Sequence, residues 1–292
     1  MVLVSASNIA VTVVGMTTRR ALVLGGGGLA GIAWMTGLLH GLAETGNDIT
    51  GADLVIGTSA GSTVAAQLTS GLPLASLYAR QTDPALQSAE IAPEIDFAVF
   101  ADEMRRFTDG ADTPEEMLRA AGAFALAART VPEGRRREVI AGRLPAREWP
   151  AAWTLRITAI DCADGSLRVF DSSSGVPLVD AVAASCAVPG VWPPVTIGGR
   201  RYMDGGARSS DNADLASGAE RIVVVSPLGT NSEMPSPMPL RDVVSRLEAD
   251  GSQVTVISPD SASTAAFGAN PLDPASRGPS AEAGYEQGRA GL

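Results

Sequence analysis

Two short apolar runs each end in glycines and then give way to a helical pattern. Nothing else in the chain restricts the fold as much. RALVLGGGG (20–28) is a buried strand running into glycines. After it Ile32, Met35, Leu39 and Leu42 recur at helical spacing, which predicts a helix over about 30–45, with Gly46 placed to stop it. ADLVIG (52–57) is a second strand, and a second helix follows Ser59 to about Ser70. Strand, helix, strand, helix is the signature of a parallel sheet covered by helices.

Both bends carry chemistry. In GGGGLAG (25–31), residues without Cβ let successive backbone N–H groups turn towards one point at a helix start, which makes an anion pocket. Three readings fit it: an oxyanion hole, a dinucleotide loop through Gly26, Gly28 and Gly31, and a plain tight turn. The dinucleotide loop wants an acidic residue at the end of the second strand. Asp53 precedes that strand, and Ser59 stands at its end. Gly57-Thr58-Ser59-Ala60-Gly61 fits G-x-S-x-G, the elbow that presents a nucleophilic serine between a strand and a helix. Gly57 and Gly61 are small there because the bend brings backbones close.

A serine nucleophile needs a base, and the usual one is histidine. The chain has a single histidine, His40, nine residues past Gly31 and so roughly 14 Å along the first helix at about 1.5 Å per residue. It reads as a core-edge or surface residue. Asp204, in YMDGG, is the carboxylate best placed by its glycine turn to serve instead.

The remaining composition narrows the field. All 22 basic residues are arginine, so a P-loop lysine, a Schiff-base lysine and a Ser-Lys dyad are excluded together. The net charge of −10 argues against nucleic acid as a partner and against general attraction to anionic lipid. Any contact with a membrane surface is expected to be local, apolar and transient. Cys162 and Cys186 form no paired motif and read as buried, reduced thiols of a cytoplasmic protein. No metal and no cofactor is expected. Nothing in the sequence speaks to oligomeric state.

Along the chain, residues 1–15 read as a loose N-terminal extension, and 16–292 as one domain with a helical cap over about 73–150. FAVF (97–100) and AGAFALAA (121–128) in the cap are read as core packing, as lining of an apolar pocket, or as contacts to a bilayer. GRRRE (134–138) reads as a solvated face, with contact to a lipid headgroup as the sharper alternative. TLRITAIDC (154–162) and LRVFDSS (167–173) should pair across Ala163-Asp164-Gly165. A helix is expected over 178–188, a hairpin within 191–206, core strands at 221–227 and 252–259, and a helix near 239–250 between those strands. The tail from 260 is expected to be loop, ending in a short helix near 280–289.

Glycine loop, elbow and Asp-Gly-Gly in this order resemble the patatin-like phospholipase family. LVLGGGGLAGIAWMTGLLHGL, ADLVIGTSAGS, ASCAVPGVWPPV, YMDGG and NADLASGAERIVVVSP each resemble a family block, over roughly residues 20–228. The resemblance implies an α/β three-layer sandwich with a mainly parallel central sheet. It implies a serine–aspartate dyad of Ser59 and Asp204, an oxyanion hole on the backbone of Gly26, Gly27, Gly28 and Leu29, and hydrolysis of a lipid or other carboxylic ester. One position departs. Where the family often has Arg or Lys before the last glycine of the loop, this chain has Ala30. The departure bears on phospholipid preference rather than on hydrolysis. Two other classes stay open from the residues alone: a binding or regulatory protein without turnover, and a dinucleotide-dependent oxidoreductase.

Overall fold

The computed structural model describes residues 20–93, 102, 110–230 and 236–291. The expected extension 1–15 and the FAVF stretch lie outside these. The sheet is built from β1 (Arg20–Leu24), β2 (Leu54–Gly57), β3 (Thr154–Asp161), β4 (Leu167–Phe170), β5 (Val195–Ile197), β6 (Arg200–Asp204), β7 (Arg221–Val225) and β8 (Gln253–Ile257). Its order is β5-β6-β3-β2-β1-β7-β8, with β4 also on β3. β3, β2, β1, β7 and β8 run parallel, and β4, β5 and β6 are antiparallel additions.

Helices cover both faces, and for that reason β1 and β2 read as unbroken apolar runs. Alternation along β1 sorts the side chains. Leu22 and Leu24 face one core with α1 (Gly28–Glu44) and α2 (Ala60–Leu68). Ala21 and Val23 face the other with Val243 and Leu247 of a helix at Leu240–Ala249. The architecture is thus the α/β three-layer sandwich that the sequence implied.

Between α2 and β3 the described residues hold α3 (Leu74–Thr82), α4 (Pro114–Ala127) and α5 (Glu133–Arg143), and no strand. α6 (Leu178–Ser185) precedes the β5–β6 hairpin, which turns on Gly198 and Gly199, both at positive φ. The helix at Leu240–Ala249 is α7.

The tail departs from expectation. It holds α8 (Ser261–Phe267) and α9 (Arg277–Ala290), the latter longer than expected and laid along α1. Gly37 and Gly41 of α1 meet Gly284 and Gly288 of α9 so closely that a Cβ on any of the four would strike the opposite backbone. A helix announces itself in sequence by an apolar stripe. Here the buried stripe is largely glycine and alanine, so that signal is weak.

Candidate active site

β3 sets the geometry. Ile157 pairs with Gly57 of β2 and with Phe170 of β4, so those strands occupy opposite edges of β3. Ala159 pairs with Arg168 of β4 and with Asp204 of β6, so β6 shares the β2 edge. β2 leaves that edge at Gly57, and β6 arrives from the opposite direction to end at Asp204. Two residues of β3 separate the registers, about 7 Å at about 3.3 Å per residue. The elbow and the Asp-Gly-Gly turn therefore meet end to end.

The elbow is strained and tightly held. Ser59 sits at φ 52, ψ −117, a region that L-residues avoid and that costs about 1–3 kcal/mol. Its N–H donates to Ser185 Oγ at 2.9 Å, and its carbonyl accepts from Ser62 Oγ at 2.6 Å and from Cys186 Sγ at 3.2 Å. A Cβ on Gly57 would strike Ser62, and one on Gly61 would run into the carbonyl of Leu24. Both glycines are required by close approach, since neither has a positive φ.

Asp204 is buried at the end of β6. Oδ1 accepts from Gly206 N at 2.7 Å. Oδ2 is buried with no partner in hydrogen-bond geometry. Burial pushes the carboxyl up to about 7; the Ser59 hydroxyl, the Gly206 N–H and the Arg136 charge pull the other way. The serine is thus near enough to be felt while the contact falls short of a well-formed hydrogen bond, a common state for such pairs before substrate binds.

The glycine loop lies against this pair: a Cβ on Gly26 would come within 3.5 Å of Ser59 Cβ. Its donors are not all free. Gly26 N donates to Ser210 O at 2.8 Å, and Ala30 N to Pro271 O at 3.0 Å. The N–H groups of Gly27, Gly28 and Leu29 make no hydrogen bond to a described residue. The sequence-based donor set therefore needs correction at Gly26, whose N–H is engaged. Gly28 has φ +66 and lies under Pro271 and Leu272. His40 stands away from the site, 3.6 Å from Glu44 and stacked with Tyr78 and Tyr285.

A cleft opens on Ser59, lined among others by Gly28, Leu29, Cys186, Trp192, Arg136 and Glu90. It is narrow, so an acyl chain has to widen it. AGAFALAA contributes nothing to it. Its buried Ala121 and Ala125 pack on Ile160, Cys162 and Met203, while Leu126 is left 47% exposed.

Several contributors escaped the sequence reading. The solvated-face reading of GRRRE fails at Arg136, which is 5% exposed and lines the cleft, while headgroup contact is the other reading of that stretch. Arg136, Val139, Ile140 and Arg143 form the buried face of α5, so a helical period running through an arginine at each end was the available signal. Glu90 is buried among Arg143 (2.8 and 2.7 Å), Arg277 (2.7 Å) and Arg136 (3.9 Å). Burial raises its carboxyl, but Arg143, Arg277 and Arg136 outweigh that and hold it below its usual range. Asn212, at φ 50, donates from Nδ2 to Ser209 O (2.8 Å), Thr58 Oγ1 (3.1 Å) and Gly205 O (3.2 Å). One amide thus ties the residue before Ser59 to the residue after Asp204. Asp211 is buried against Gly25, and burial pushes it up to about 6.

The family model for patatin-like phospholipases matches residues 22–217, a span that contains the elbow, the glycine loop and the Asp-Gly-Gly turn. The chain belongs to the patatin-like phospholipase family. No curated protein matches the chain. Among solved structures, the patatin-like chain resembles VipD from Legionella pneumophila at 14% identity and TM-score 0.47, over 93% of this chain and 66% of that one. It resembles the type III effector protein ExoU at 17% and 0.40, over 94% and 52%. For ExoU of Pseudomonas aeruginosa in complex with SpcU the values are 16% and 0.36, over 94% and 53%. The chain spans one half to two thirds of the length of these neighbours. Among the described residues no helix is long and apolar enough to cross a membrane.

Proposed function

We propose that this patatin-like chain is a carboxylic ester hydrolase acting on lipid esters through Ser59 and Asp204. The observation that carries the reading is the pairing of a strained serine with a buried carboxylate. Asp204 Oδ2 is left without a partner beside the only serine in the described chain with a positive φ.

In the proposed cycle Asp204 takes the hydroxyl proton of Ser59 as Oγ bonds to the ester carbonyl carbon. The oxyanion is held by the free N–H groups of Gly27, Gly28 and Leu29, and each such donor lowers a barrier by about 3–4 kcal/mol. The C–O bond to the alcohol then breaks, and Asp204 returns the proton to the leaving oxygen. Water repeats the steps in reverse and releases the acid. An ordinary aspartate is too weak a base near neutrality. One raised to about 7 is matched to the task. The chain's own residues supply every group in this scheme.

Residues 16–292 are taken as one domain, with the helices between α2 and β3 as a cap beside the cleft. A cytoplasmic protein with transient access to a lipid surface fits this reading.

A serine-reactive fluorophosphonate probe tests it. Wild type should be labelled, and labelling should disappear in Ser59→Ala. Absence of labelling on folded wild type would favour a binding protein without turnover. Bound nucleotide without labelling would favour an oxidoreductase.

A further inference from the structure

Arg136 has more donors than the protein uses. Its Nε and Nη1 are buried without a hydrogen-bond partner, and no described residue accepts a hydrogen bond from it. Its nearest carboxylate oxygen, on Glu90, is 3.9 Å away, and that carboxylate is already held by Arg143 and Arg277. The guanidinium lies 3.8 Å over the Trp192 ring, which fixes its plane. Glu133 accepts from Thr196 N at 2.7 Å, and Arg137 pairs with Asp180, so α5 is anchored on both sides of the residue.

The charge is surplus as well. Three buried arginines face one buried glutamate. Among the described residues, even with Asp204 ionised, one positive charge stays uncompensated at the cleft, in a chain whose net charge is −10. Burial and neighbouring Arg143 push the Arg136 guanidinium down to about 9, against Cys186, Glu90 and Asp204, so the site disfavours an unaccompanied cation. A buried arginine with idle donors persists where a ligand completes it. Guanidinium donors suit an anion with several oxygens.

Resting on the hydrolase reading of Ser59, we infer that Arg136 is a substrate-binding residue. It holds a phosphate carried by the lipid ester and so selects phosphate-bearing esters over neutral ones. An anion there is met by Arg136, with Arg143 behind it, while Ser59 and the glycine donors share the same cleft.

The test uses binding, so that it does not depend on turnover. Ser59→Ala protein is titrated calorimetrically with octyl phosphate, octanol and inorganic phosphate. Octyl phosphate should bind at least tenfold more tightly than octanol and than inorganic phosphate. Adding Arg136→Met should cut the preference for octyl phosphate over octanol by about 10–100-fold, the scale of a lost charge-assisted hydrogen bond. Equal losses for both ligands, or an unchanged preference, would overturn the inference. Inorganic phosphate binding as tightly as octyl phosphate would do so too, by assigning the site to the free ion. If Arg136→Met does not fold, Arg136→Lys and Arg136→Gln decide. Lysine should keep the preference and glutamine lose it, and the same preference in both would reject the role. An enzyme that hydrolyses nothing while these titrations behave as expected would sink the hydrolase reading and leave the anion subsite standing.

Discussion

Asp204→Asn should produce a protein that is inactive and, above neutrality, more stable than wild type. The folded carboxyl titrates near 7, against an ordinary value of 3.8, because burial disfavours its charge. Between those values the folded state keeps a proton that the unfolded chain has released. Stability therefore falls as pH rises through that window and is fullest below about 3.8. At about 1.4 kcal/mol per tenfold in ionisation, wild type carries a penalty of about 4 kcal/mol at pH 8 and about 2 kcal/mol at pH 5. Asparagine never ionises and escapes both. Its new amide leaves an unpaired donor where Oδ2 was, a roughly constant cost of about 1–3 kcal/mol. The informative quantity is consequently the change with pH. The variant should gain about 2–3 kcal/mol on wild type between pH 5 and pH 8. In urea titrations that is a midpoint shift of about 1 M, for a slope of about 3 kcal/mol per molar. In parallel, wild-type kcat/KM should fall about tenfold per pH unit below about 7, and the variant should lose at least about 100-fold at pH 8. A stability difference flat within about 0.5 kcal/mol across this range would refute the raised ionisation of Asp204, and with it the argument that burial makes this residue a base.

Asn212→Ala should cost about 2–4 kcal/mol, since buried acceptors on both sides of the site lose their donor and alanine is strained at positive φ. Its kcat should drop with it, and a kcat within twofold of wild type would show that the amide does not position the pair. Glu90→Gln should destabilise by about 3–5 kcal/mol in chemical unfolding, because three buried guanidinium groups lose their one carboxylate; a loss under about 1 kcal/mol would contradict this. Gly284→Val should cost at least about 2 kcal/mol by forcing α9 off Trp34. Gly278→Ala on the same helix, where a Cβ meets open space, should be neutral or stabilising by up to about 1 kcal/mol, and equal effects at the two positions would deny the close helix contact.

What could be read from the residues alone was whatever is decided over a few neighbours in the chain. The apolar runs at 20–24 and 54–57, the glycine bends after them and the helices beyond follow from local sterics and periodicity. So do the Gly198-Gly199 hairpin and the need for small residues at 57 and 61. Tertiary structure alone decided the rest. Edge-sharing on β3 brings Asp204 to Ser59, a matter of register that no local pattern encodes. Burial, which sets how basic Asp204 is, belongs to the assembled core. Between a solvated face and a headgroup contact for the run around Arg136, only the packed face of its helix decides that this side chain is buried. α9 gives a weak apolar signal because two of its buried residues, Gly284 and Gly288, contribute close backbone approach and not hydrophobicity. Gly26 was misassigned as a donor because its N–H partner, the carbonyl of Ser210, comes from a distant loop that only the folded chain places there.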